Sequence, residues 1–155
     1  MNTEEKNEQN IKQREAVRKL HECCTEENLW RCIVEFQNTR MWTASGLLFQ
    51  YKLKVGRNGR FTKELWVDRR EDSKSLAWSS VKLAFRSLYE AEAKAMEQAE
   101  GVFVQEYHYD RKMILRPKAL GDIRGISYIY AMFYRFELIE VPEKSREKMN
   151  QEALY

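Results

Sequence analysis

The chain has 155 residues, of which 43% are hydrophobic and 33% charged. That is enough apolar side chain for one buried core and little for a second, so a single domain over residues 1–155 is expected, frayed near 1–9 and ending in a charged tail near 143–155. Lys and Arg exceed Asp and Glu by only 27 to 24, a net charge of +3 that by itself excludes neither a protein nor a nucleic-acid partner. No apolar run approaches the roughly 20 residues that cross a bilayer. The opening Met1-Asn-Thr-Glu-Glu-Lys-Asn-Glu8 is polar where a secretory leader is apolar. Three cysteines, two of them adjacent, do not form a disulfide framework. A reducing, cytoplasmic setting is the expectation.

Taken in order, residues 1–24 carry apolar side chains at Ile11, Ala16, Val17 and Leu20, a helical spacing from about Asn10. Thr25 is placed to cap a second helix, with Glu26 and Glu27 favourable against its dipole. Leu29, Trp30, Ile33, Val34 and Phe36 give that helix an apolar stripe. Together the two segments predict a helical hairpin. Residues 38–46 read as a connector. Residues 47–55 then alternate, with Phe49, Tyr51, Leu53 and Val55 on one face and Leu48, Gln50, Lys52 and Lys54 on the other. Gly56-Arg-Asn-Gly-Arg60 is a five-residue turn, and Phe61, Leu65 and Val67 return on the apolar face with Lys63 as the exception near the tip.

From Ser75 the apolar period becomes helical, through Ala77, Val81, Ala84, Leu88, Ala91 and Ala95 to a stop at Gly101. One long central helix is expected there, capped by Ser75 or Ser79. Residues 102–109 are β-prone and turn at 110–112 towards Met113-Ile-Leu115, which predicts a second hairpin. Pro117 and Gly121 punctuate a loop. Ile126, Ile129, Tyr130, Phe133 and Phe136 share a helical face, and residues 138–141 close as a short strand ended by Pro142. The fold class is therefore α+β: a small antiparallel sheet with a helical N-terminal hairpin and a long central helix.

Charge is concentrated where the hairpin is. Between Tyr51 and Arg70 there are seven basic and two acidic residues, a local net of +5 against +3 for the whole chain. Lys52, Lys54, Arg57, Arg60, Lys63, Arg69 and Arg70 can exchange condensed counterions for phosphate contacts, and a two-stranded ribbon fits a DNA groove. Lysines alternating along an exposed strand also serve simply to solubilise it and block edge pairing. The start of the following helix has the cadence of a recognition helix, with Ser79, Ser80, Lys82 and Arg86 facing a groove and the 102–116 hairpin as a wing. Arg116, Lys118 and Arg124 extend the basic surface if their loop folds beside the hairpin.

Other chemistry is thinly represented. His21, Cys23, Cys24 and Cys32 make a possible zinc set, but they lack Cys-x-x-Cys spacing, and small core residues are the commoner role for cysteine. His108 in an aromatic stretch reads as a structural histidine. The carboxylates are scattered along polar faces and form no acid/base pair, so neither enzymatic activity nor a cofactor is expected. Tyr128, Tyr134 and Arg135 flank the aromatic helix as core or as partner anchors.

The string Arg116-Pro-Lys-Ala-Leu-Gly-Asp-Ile-Arg-Gly-Ile-Ser-Tyr-Ile-Tyr130 supports a resemblance, together with Asn58-Gly59, Lys74-Ser-Leu-Ala-Trp-Ser-Ser-Val81 and Tyr134-Arg-Phe-Glu-Leu-Ile139. Over roughly residues 43–140 the chain resembles small uncharacterised accessory proteins of bacterial conjugative elements and prophages. The resemblance implies an accessory role and no particular activity. Two partner classes follow. DNA, bound through the basic hairpin, is preferred. The alternative is an acidic or nucleic-acid-binding host protein, such as a defence nuclease that the chain would inhibit. No membrane contact is expected, and a homodimer through an uncovered strand edge is compatible with the pattern.

Overall fold

A computed structural model describes residues 2–69, 72–98 and 105–151. In chain order the helices are α1 (Thr3–Glu22), α2 (Glu26–Glu35), α3 (Trp78–Leu88), α4 (Glu90–Gln98), α5 (Ile126–Arg135) and α6 (Glu143–Met149). The strands are β1 (Met41–Trp42), β2 (Leu48–Val55), β3 (Phe61–Arg69), β4 (Ser73–Ala77), β5 (Lys112–Met113) and β6 (Ile139–Glu140). A 3-10 turn spans Pro117–Leu120. The α+β class is as expected. The chain forms two compact units, one from Met1–Phe36 with Tyr89–Asp110 and the other from Gln37–Leu88 with Arg111–Tyr155.

In the first unit, α1 and α2 make the anticipated helical hairpin. Ala16, Val17 and Leu20 of α1 and Leu29, Cys32 and Ile33 of α2 are buried, and the Gln13 side chain donates to the Glu35 carbonyl at 3.1 Å. Thr25 caps α2, its hydroxyl accepting from the Asn28 amide at 3.2 Å. α1 starts earlier than its apolar period, because the Asn2 side chain accepts from the Glu5 amide at 2.8 Å and caps a turn carrying Glu4 and Glu5. α4 belongs to this unit, as does a single antiparallel bridge between Cys24 and Tyr107.

The second unit is built on a four-stranded antiparallel sheet in the order β1-β2-β3-β4. Its first hairpin, β2 with β3, is the one read from the alternation. Phe49, Tyr51, Leu53, Leu65, Val67 and Leu76 are buried on the inner face. α3 and α5 cover that face: Val81, Ala84, Phe85 and Leu88 of α3 are buried, Phe85 meets Phe133 of α5 edge-on at 6.4 Å, and Tyr128 of α5 meets Phe49 at 5.0 Å. Fully burying one such side chain contributes roughly 1.5–3 kcal/mol.

Four expectations are corrected. Ser75 is no helix cap. It lies in β4, a polar edge strand with Leu76 as its one buried residue, and helix α3 starts at Trp78. The helical run is also not continuous, since Tyr89 interrupts it between α3 and α4, which leaves α1 as the longest described helix. The connector holds strand β1, whose Met41 pairs with Phe49 and whose Trp42 pairs with Leu48. The second hairpin does not form as drawn, because β5 pairs in parallel with β6, Lys112 opposite Ile139 and Met113 opposite Glu140. Residues 102–104 of that reading, and the stop at Gly101, lie outside the described residues.

Gly125 fixes the entry to α5. Its φ is +80°, and a Cβ there would come within 2.5 Å of Leu76 Cδ1, an atom held in the core. Gly59 in the β2–β3 turn has a φ of +75° with open space around it. Left-handed backbone costs an ordinary residue roughly 1–2 kcal/mol, and overpacking adds about 1–3 kcal/mol. Gly125→Ala should therefore lower the denaturant midpoint distinctly more than Gly59→Ala, as measured by chemical unfolding.

Candidate nucleic-acid interface

The sheet sorts the basic residues of the hairpin onto different surfaces. On β2, Lys52 is exposed on the outer face, across from Trp66 on β3. Lys54 follows it but is engaged: its ammonium lies 4.4 Å from the Trp66 ring centroid and 3.3 Å from the Glu64 carboxylate. The Ser75 hydroxyl donates to the same carboxylate, and Ser75 and Lys54 together hold Glu64 below the ordinary carboxylate range. With Asp68 also on this strand parity, the outer face is of mixed charge. At the far end, Arg69 makes a two-pronged pair with Asp72, at 2.8 and 2.5 Å, and donates to the Tyr128 hydroxyl at 3.0 Å. It lines a cleft of about 1070 Å³ with Arg40, Trp42, Leu48, Gln50 and Tyr128. Arg70 lies outside the described residues.

The inner face behaves differently towards the tip. Its last fully covered row is Leu53–Leu65–Leu76, cross-strand neighbours in register. One step beyond the pairing of Glu64 with Ala77, Lys63 comes opposite Trp78, the first residue of α3. The Lys63 ammonium lies 5.9 Å from the Trp78 ring centroid, and the Lys82 ammonium, one turn along α3, also lies 5.9 Å from it. Two cations thus converge on one indole. Burial, and after it the charge of Lys82, depresses the Lys63 pKa below the ordinary lysine value. Further out, Val55 pairs with Phe61, and both are exposed, at 63% and 52%. The turn beyond them carries exposed Arg57 and Arg60.

On α3, Ser79, Lys82, Leu83 and Arg86 recur at helical spacing on the side away from Val81, Ala84 and Phe85. Leu83 is 57% exposed there, and Ser80 is half-buried. α3 follows a strand, so the helical partner of a helix-turn-helix is absent among the described residues, as is the 102–116 wing. Arg116 precedes the 3-10 turn and Lys118 lies within it; both are exposed, as is Arg124 in the loop before α5. That turn packs against α3 and α5. Sequence reasoning missed the half-buried Trp78 and the exposure of Val55 and Phe61. The register of β4 against β3 is the signal that finds Trp78, and it appears only once Ser73–Ala77 is recognised as a strand.

Burial raises the thiol pKa of Cys24 to about 11 and of Cys32 to about 12. His21 stacks on Tyr109 at 3.9 Å, and among the described residues no group of three His, Cys, Asp or Glu side chains is arranged to hold a metal. His108 lies 3.1 Å from the Glu92 carboxylate. Of the three expected anchors, Tyr128 accepts from Arg69 at 3.0 Å, Tyr134 accepts from the Asn150 side chain at 2.9 Å and Arg135 donates to the Arg40 carbonyl at 3.1 Å, so all three make hydrogen bonds within the chain. No described helix is long and apolar enough to cross a membrane.

The described fold is α+β, with a basic, aromatic surface where hairpin and helix meet. Comparison of the chain with protein-family models, with curated proteins and with solved structures finds no match.

The convergence on Trp78 has a direct consequence. Lys82→Gln removes the like charge facing Lys63, so the Lys63 pKa should rise towards the ordinary lysine value while the part due to burial persists. Titrating the Lys63 ε-methylene by NMR reads this. Because the folded pKa lies below the unfolded one, wild-type stability should also rise with pH through that alkaline window, less so in the variant.

Proposed function

We propose that the chain is a DNA-binding accessory or regulatory protein that contacts duplex DNA with the hairpin tip and the outward face of α3. The observation that carries this reading is the pair of ammonium groups, Lys63 and Lys82, brought from two elements onto the Trp78 ring. The charge of Lys82 disfavours the charged form of Lys63, and a phosphate bound beside the two ammonium groups offsets that repulsion while releasing counterions from DNA. Arg57 and Arg60 stand beyond them at the tip, and Ser79 and Arg86 continue the surface along α3. An accessory role in a mobile element, as the resemblance implies, belongs to the same proposal.

Within this reading the basic residues are unequal. Arg57, Arg60, Lys63 and Lys82 carry the phosphate contacts. Lys54 forms an ion pair with Glu64 and Arg69 one with Asp72, and each carboxylate would repel a phosphate brought to its partner, so these two contribute less.

The test is a duplex-binding titration across salt concentrations. Wild-type protein should bind random-sequence duplex at low salt, and the logarithm of its affinity should fall linearly with the logarithm of salt. Lys63→Gln or Lys82→Gln should each reduce that slope by about 1, whereas Lys54→Gln should leave it nearly unchanged. Charge reversal at Arg57, Arg60, Lys63 and Lys82 should abolish binding. Absence of binding by wild type at micromolar protein and low salt would contradict the proposal and favour the protein-inhibitor alternative.

A further inference from the structure

We infer that the exposed Val55–Phe61 pair is an apolar wedge that enters bound duplex DNA from the minor groove, between base pairs, and bends it. The inference rests on the DNA reading above and adds a mechanical consequence to it.

The hairpin continues past the core. Leu53 and Leu65 are buried, but the next matched pair, Val55 with Phe61, is mostly exposed, although both are large apolar side chains of the kind strands bury. The register shifts between Leu53 and Val55, a bulge-like irregularity that locally increases strand twist. The Thr62 hydroxyl donates to the Lys54 carbonyl at 3.0 Å across this irregularity. The turn itself is closed. The Gly56 amide donates to the Arg60 carbonyl at 2.8 Å, the Gly59 amide to the Gly56 carbonyl at 3.0 Å, and the Arg60 amide to the Asn58 side chain at 3.0 Å. The wedge is therefore preformed, and little ordering entropy is lost when it inserts.

Its surroundings select the occupant. From Tyr51 to Lys63 the chain has no acidic residue and five basic ones, of which Arg57 and Arg60 flank the apolar pair. An exposed apolar pair just behind a turn that carries two arginines matches the requirements of minor-groove wedges: apolar side chains unstack a base step, and cations hold the phosphates and the electronegative groove beside it. Unstacking costs a few kcal/mol per step, offset by the additional protein surface that a bent duplex reaches. Lys63, Lys82 and the outward face of α3 supply such a surface beside the tip. Two side chains are a poor match for a bilayer, since interfacial anchoring relies on the long apolar face of an amphipathic helix.

The test uses the full chain and a duplex of about 30 base pairs, within the range over which bending is measurable, labelled at its two ends for energy transfer. Binding is followed separately by anisotropy. Wild-type protein should raise transfer efficiency on binding, corresponding to a bend of roughly 20–90°. Phe61→Ala should bind within about an order of magnitude of wild type, consistent with retained phosphate contacts, and leave the duplex nearly straight. Phe61→Leu, which keeps an apolar wedge, should restore bending. Thermal unfolding followed by circular dichroism should show both variants folded, as expected at an exposed position. Wild-type binding without bending overturns the wedge and leaves the DNA reading intact; equal bending by Phe61→Ala does the same. Failure of wild type to bind duplex overturns both, as does binding to vesicles of phosphatidylglycerol and phosphatidylcholine with none to duplex.

Discussion

The Leu53–Leu65–Leu76 row is the constraint on which the second unit turns. It is the last row of the sheet that is fully buried, and each neighbour of it has a defined task. Leu76 leaves space for Gly125 alone, which starts α5. Leu65 lies two residues from Lys63, where side chains on the same alternation begin to emerge. One more pair outward, the strands still hydrogen-bond, yet Val55 and Phe61 meet solvent. A hairpin longer than its helical cover thus generates a projecting apolar and basic edge without any separate element to build it.

Charge follows from that geometry. Alternation along β2 and β3 puts Lys52 and Lys54 on the outer face and Lys63 on the inner one, and the outer face would be uniformly basic if it carried no acidic residues. Glu64 and Asp68 supply them, and Glu64 draws in both Lys54 and the Ser75 hydroxyl. Arg69 is similarly absorbed by Asp72 and Tyr128. What remains concentrated is the tip with Arg57 and Arg60 and the cluster of Lys63 and Lys82 on Trp78. The local net of +5 is therefore spread over more than one surface, and Arg57, Arg60, Lys63 and Lys82 lie where the apolar cover ends.

The sequence made some of this legible. Period-two alternation identified β2 and β3 because one face is buried and the other solvated, and Thr25 identified the start of α2 because a hydroxyl there has one productive hydrogen bond to make. β4 was hidden, since Ser73-Lys-Ser-Leu-Ala77 buries one side chain and its Ala77 falls in phase with the helical repeat of α3. Neither Gly nor Pro marks the interruption at Tyr89, whose ring stacks on Tyr107 at 4.9 Å and whose hydroxyl lies 3.6 Å from the Cys24 sulfur. Tertiary contact decides its conformation. The candidate site was half visible for the same reason: Arg57, Arg60 and Lys63 stood out by charge, whereas Trp78 and the exposed Val55–Phe61 pair depend on register and on where the helices stop.

The most direct measurement uses the four tryptophans, which report from separate places: Trp30 in α2, Trp42 in β1, Trp66 on the outer face of β3, and Trp78 at the start of α3. Their indole N–H resonances can be followed by NMR while duplex DNA is added at low salt. If the surface between hairpin tip and α3 is the interface, the Trp78 signal should shift or broaden first and most, with Trp30 and Trp42 unmoved. Perturbation centred on Trp66 or Trp42, with Trp78 unaffected at saturation, would contradict it.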